Sequence, residues 1–481
     1  MSDANLPSLS PVPAAPTVEQ LLAALGERDA LIGALLQRIG DLEARVKQNS
    51  RNSSRPPSSD GYAKAKSPSR AEQKAAGRKP GKQPGAPGKH LARVPDPDEV
   101  REHVPTGCRG CGADLGDAPV VGTERRQVFD VPPGRVHVIE HQLQARMCGC
   151  GTVTTAPAPA GASAPATYGP LLRALAVYLL HVQHLPLART AALLAEVYGI
   201  SVSEGFLVGV AADAGAKTDP FTKKVRDALV AADVAHFDET GVRVAGSLWW
   251  LHSASTDKLT LLGAYPCRGT TAMLELGVLP TFAGTAVHDG FFPYRRYDAT
   301  HALCNAHHLR ELVAVTDRDP TQTWATDLIE VLRAANRAAH QARANDQHQL
   351  PAQHLAQLQV RYAELIDAGW AANPRPPPTG KRGAPKLGPT GSLLRRLDER
   401  RQEVLRFATD LAVPFTNNQA ERDLRMAKLQ MKISGCWRTA DGARTFAALR
   451  SYVSTVRKNG IAVMDALTNL LAGNPWLPAT T

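Results

Sequence analysis

The feature that most constrains how this chain can fold is a set of three short apolar runs beginning near residue 232. ADVAHFDET, SLWWLHSAS and KLTLLGAYP are apolar or alternating and are separated by turn residues, a pattern that predicts three adjacent antiparallel strands. A helix at TTAMLELGV follows, then a strand at GTAVHD and a helix around CNAHHLRELVAV.

Three strands, a helix, a strand and a helix is the order expected of an RNase H-like α/β core, placed at 229–460. A mostly helical insertion, 320–412, interrupts it and carries the loop NPRPPPTGKRGAPKLGPTG. One more helix bears NNQAERDLRMAKLQMK, and 461–481 read as a C-terminal tail.

The 228 residues before this core divide into smaller parts, making the whole a multidomain α+β chain. Val18, Leu25, Ile32, Ile39 and Val46 fall seven apart, with Leu21, Leu35 and Leu42 at the complementary positions and Arg28 breaking that second set. Mostly β-branched residues at a with Leu at d predict a parallel two-stranded coiled coil over 17–49 and hence a homodimer or higher oligomer. A single amphipathic helix packed on its own domain is the plainer alternative. Residues 50–95 are rich in Ser, Pro, Gly and Lys and predict a disordered linker. Within them, 51–93 hold eleven Lys and Arg against Asp60 and Glu72, a local excess that suits nucleic acid.

Residues 96–156 carry two cysteine pairs, Cys108 with Cys111 and Cys148 with Cys150. With β-rich segments RRQVFDV and RVHVIEHQLQAR between them, the pairs predict one structural tetrahedral Zn2+ site. The three scattered cysteines, Cys267, Cys304 and Cys436, invite no metal reading. Residues 168–228 predict a long apolar helix and two shorter ones around the turn YGISVS, with Ser201 or Ser203 as N-cap. This suits either a DNA-binding helix-turn-helix or a plain three-helix unit.

No run of ~18 apolar residues suggests a membrane span, and the N-terminus lacks the basic and apolar regions of a secretory signal. The expected location is the cytoplasm.

Acids delivered by strands suggest the chemistry. Asp238 lies near the end of the first strand, Asp289 ends the fourth, and Glu421 can project from the late helix. Carboxylates are the hard ligands that hold magnesium or manganese for phosphodiester cleavage. Taken singly, each has a bland alternative: a turn cap for Asp238, a turn residue at Asp289, and a helical pair with Arg425 for Glu421. Glu311 and Glu330 compete for the third place because they lie nearer in sequence. Arg425, Lys428, Lys432 and Arg310 are candidates for holding DNA phosphates.

NSRNSSRPPSSDG, CRGC with CGC, HFDETGVRV, VHDGFFPY, LCNAHHLREL and NNQAERDLRMAKLQMKISGCWRT together resemble the large transposase of the insertion sequence 66 family, a group of DDE transposases. The resemblance spans essentially the whole chain. One local departure is Cys304, Asn305, Ala306, His307, where the family motif often has an aromatic second residue. The resemblance implies an acidic triad of Asp238, Asp289 and Glu421 with two Mg2+ or Mn2+ ions. It also implies a zinc-binding DNA module, action on terminal inverted repeats and target DNA, and small accessory proteins of the same element. The competing functions are a hydrolytic nuclease of the same fold and a non-enzymatic zinc regulator.

Overall fold

The computed structural model describes residues 17–46, 48–49, 52–53, 91–130, 134, 136–159, 161–162, 164–376 and 387–479. Most of the basic segment (54–90) and the insertion loop at 377–386 lie outside the described residues. The chain divides into two units, one of 1–62, 140–192 and 202–481, the other of 63–139 and 193–201.

In the larger unit, helix α1 (Val18–Val46) carries the heptads, and every a and d residue named above that is apolar is exposed along it. A small hairpin, β1 (Ala145–Met147) and β2 (Val153–Thr155), follows. Helix α2 (Pro170–Val177) runs on through a π turn at Tyr178–Val182. Helix α3 (Leu187–Tyr198) crosses the division between the units. Helices α4 (Glu204–Ala216) and α5 (Asp219–Val230) come next. Ser203 caps α4 by accepting the Phe206 N–H at 3.1 Å, one of the two capping residues expected.

The core sheet has five strands in the order β5-β4-β3-β6-β7: β3 (Val234–Val244), β4 (Ser247–Ser255), β5 (Thr260–Tyr265), β6 (Thr285–His288) and β7 (Thr300–Leu303). The first three pair antiparallel, while β6 and β7 run parallel to β3. Helix α6 (Thr270–Leu276) links β5 to β6, and α7 (Asn305–Arg318) follows β7. The fifth strand is absent from the sequence expectation: THAL is four residues long and abuts the stronger helical signal after it.

Residues 320–412 form α8 (Thr323–Ala344), α9 (Ala352–Ala372), α10 (Pro389–Glu399) and α11 (Arg401–Thr409). They bury a core of their own, with Trp324, Leu328, Ile366, Leu394 and Phe407 packed against Leu312 and Val315 of α7. Helices α12 (Asn418–Ser434), α13 (Ala440–Lys458) and α14 (Val463–Leu471) complete the unit. Leu467 and Leu470 of α14 lie in the main core with Phe221, Phe237 and Tyr452. Residues 461–481, expected to be a tail, therefore contain a packed helix, since its apolar stripe has a core to bury against.

The segments expected to be β-rich between the cysteine pairs form no strand among their described residues apart from β1. Val128, Val138 and Ile139 there are exposed, so alternating apolar residues gain no packed face that would fix a ladder.

Candidate active site

Alternation along β3 sends neighbouring residues to opposite faces of the sheet. Ala235 and Phe237 enter the main core, whereas His236 and Asp238 face the side covered by α12. The parallel register pairs Val234 with Thr285, Ala235 with Ala286 and His236 with Val287. Continued two residues, it brings Asp238 level with Asp289. The Asp289 Oδ1 accepts the Phe291 N–H at 2.8 Å, and Gly290 between them has φ +92°, a conformation that favours glycine. The tight turn fixes the carboxylate at the strand end.

Glu421 arrives on the first turn of α12. Asn417, at the N-cap of that helix, spends its side chain on the sheet. Its Oδ1 meets His236 Nδ1 at 2.8 Å, and its amide donates to the Phe237 carbonyl at 2.7 Å. Its backbone N–H donates to Cys304 Sγ at 3.1 Å. The helix start is thereby pinned beside Asp238.

The three carboxylates share one electrostatic field. Burial pushes the Asp238 carboxyl well above the usual range, and Glu239, Asp289 and Glu421 add to the effect. Like charges gathered in a half-buried site favour protonation until a cation joins them. Glu421 Oε1 is buried without a hydrogen-bond partner, and Arg310 Nη2 stands 3.9 Å from it. This donor set, all oxygen and short of counter-charge, fits hard divalent cations.

Glu239 has a different setting. It is buried, accepting from Arg268 Nε and Nη2 at 2.9 and 2.6 Å and from the Tyr294 hydroxyl at 2.5 Å. The Arg268 guanidinium lies 3.8 Å from the Phe291 ring centre and 4.7 Å from that of Trp250. Glu239 therefore ties β3 to the segment after Asp289. The sequence offered no expectation for Glu239, because its partners Arg268 and Tyr294 lie 29 and 55 residues away.

Of the proposed phosphate-binding residues, Arg425 and Lys432 are exposed on α12. Lys428 is half-buried and donates to the Gly241 carbonyl at 2.6 Å, which ties α12 to β3. Arg310 faces Glu421. Glu311 pairs with Arg396 of the insertion. His308 is buried against Asn305 at 3.1 Å. His307 lies close enough to Glu421 and Asp289 to feel both, and burial followed by Arg310 holds its pKa down.

The two cysteine pairs have the same local build, each within its own unit. Cys108 N–H donates to Ala113 O at 2.8 Å and Gly112 N–H to Cys108 O at 2.9 Å. Cys148 N–H donates to Thr152 O at 2.9 Å and Gly151 N–H to Cys148 O at 2.8 Å. Gly112 and Gly151 have φ +75° and +86°. Backbone N–H groups of Cys111 and Gly110 lower the Cys108 thiol. Bonding to Thr152 lowers the Cys150 thiol to about 7. Both are suited to binding metal as thiolates.

Residues 165–445, more than half of the chain, match the family described as Transposase IS66 family, so the chain belongs to that family of transposases. Residues 105–151 match the zinc-finger binding domain of transposase IS66, and 7–92 match a family of unknown function. No curated protein matches the chain. Membership carries DNA binding and a zinc-binding module with it. Among the described residues no helix is long and apolar enough to cross a membrane.

Proposed function

We propose that this transposase binds the terminal inverted repeats of a mobile DNA element, then cuts and joins phosphodiester bonds at a site built from Asp238, Asp289 and Glu421. The observation that carries the proposal is the shared field of these three carboxylates, drawn from β3, the end of β6 and the start of α12. The strand order, with three antiparallel strands followed by parallel ones, supports an RNase H-like core.

Two magnesium or manganese ions held by the triad would relieve phosphate charge and activate the oxygen nucleophile. The chain's own residues position the parts. The turn at Gly290 orients Asp289, the Asn417 clip sets Glu421 against β3, and Arg425 and Lys432 offer exposed cations to the DNA backbone. Cleavage breaks one P–O bond with water as nucleophile and leaves a 3′-hydroxyl on the element. Joining uses that hydroxyl against a target phosphodiester and releases another 3′-hydroxyl. The paired thiols Cys108, Cys111, Cys148 and Cys150 are proposed to hold one Zn2+ that shapes the DNA-binding module, and α1 to pair two copies.

The test is strand transfer with pre-cleaved transposon ends. Wild type should join them to target DNA. Asp238→Asn, Asp289→Asn and Glu421→Gln should each lower cleavage and joining by on the order of 10³-fold while still binding the ends. Cleavage without joining would favour the hydrolytic nuclease, and indifference to Asp238→Asn the non-enzymatic regulator.

A further inference from the structure

Cys304, set aside in the sequence as a lone thiol, lies within a group of metal-binding donors. Its Sγ, a ring nitrogen of His307 and a carboxylate oxygen of Glu421 all lie within 4.8 Å of one another. Among the described residues this is the group of three or more such donors gathered that closely. The hard triad need not close so far, because two ions about 4 Å apart spread their ligands.

Each donor has capacity to spare. Cys304 is buried, and its Sγ accepts the Asn417 N–H at 3.1 Å. His307 Nδ1 and Glu421 Oε1 are buried without hydrogen-bond partners, a state that costs free energy unless something fills it. Cys304 is the N-cap of α7 and His307 its third residue, so one helix start presents both soft ligands on a rigid element. A sulfur, an imidazole nitrogen and one carboxylate oxygen form a ligand set for a thiophilic divalent ion and a poor one for magnesium. Arg310, 3.9 Å from the carboxylate, is the cation such an ion would displace.

We propose that Cys304, His307 and Glu421 form a second zinc-class metal site that borrows Glu421 from the hard-metal triad. The fourth coordination position is left for water or substrate. A thiophilic ion bound here withdraws Glu421 from Asp238 and Asp289, so zinc should antagonise magnesium-dependent cleavage. That consequence rests on the proposed role of Glu421, whereas the binding does not.

The experiment is cadmium-113 NMR on the full chain, with zinc counted by elemental analysis in parallel. Two resonances are expected at saturating cadmium: one in the four-thiolate region from the paired cysteines, the other far upfield from a single-thiolate site. Cys304→Ser and His307→Gln should each remove the upfield resonance alone and lower zinc from about two per chain to about one. His307→Gln keeps the test decisive if Cys304→Ser disturbs folding. A lone four-thiolate resonance, or an upfield one that survives both substitutions, would overturn the proposal. An upfield resonance without the four-thiolate one would uphold it and instead defeat the zinc assignment of the cysteine pairs. Loss of strand transfer in wild type would leave both resonances as they are.

Discussion

Asn417 is joined to Phe237 by a 2.7 Å hydrogen bond, its side-chain amide donating to a strand carbonyl one residue before Asp238. Because the amide nitrogen donates there, Oδ1 must accept from His236, which fixes the proton on His236 Nδ1. One residue thus links the helix of Glu421 to the strand of Asp238.

Asn417→Ala should therefore cost more than its bonds. Leaving the Phe237 carbonyl and His236 without partners should destabilise the fold by about 2 to 4 kcal/mol, measurable by denaturant unfolding. The folded fraction should also cleave DNA far more slowly, because Glu421 loses its register. Wild-type cleavage by folded Asn417→Ala would defeat the positioning role.

Glu311 and Glu421 provide the sharpest contrast between near and far in sequence. Glu311 turns to Arg396 of the insertion, while Glu421 shares the field of Asp238. Glu311→Gln should keep substantial cleavage and lose less than ~1 kcal/mol, as a partly exposed pair does. If Glu311→Gln abolishes cleavage and Glu421→Gln spares it, the triad is misassigned.

The apolar a and d residues of α1 are exposed within one chain, so burying them requires another surface. Ile32→Asp combined with Leu35→Asp should reduce the oligomer size seen in sedimentation. A mass identical to wild type would show that assembly uses another interface.

Buried histidines make the core acid-sensitive. Burial, reinforced by His301 and arginines, holds His288 down to about 3, and burial holds His252 down to about 4. These groups fold neutral and titrate near 6.5 when unfolded. Their stabilising effect is present above pH 6.5 and is lost as pH falls toward the folded values. A fully buried histidine such as His288 should cost roughly 2 kcal/mol at pH 5. Unfolding curves at pH 7 and pH 5 should converge by that amount in His288→Gln, and an unchanged pH slope would contradict the account.

Local pattern was enough to read several parts of this protein from its sequence. Alternation marked β3 to β6 and carried Asp238 and Asp289 to adjacent strand ends. Heptads marked α1, and short spacing marked both cysteine pairs. Each of these signals lies within a few residues, where backbone periodicity alone constrains the side chains. What depended on chain segments far apart was decided only by the tertiary structure. It added β7 beside β6 and packed α14 into the main core. It also turned Lys428 to the Gly241 carbonyl and brought Cys304 and His307 to Glu421. The insertion buries a core of its own, so the chain can leave the sheet after α7 and return with Glu421 beside Asp238. Sequence separation sets the entropy of closing such a loop, but the packing and hydrogen bonds at its ends determine which side chains meet.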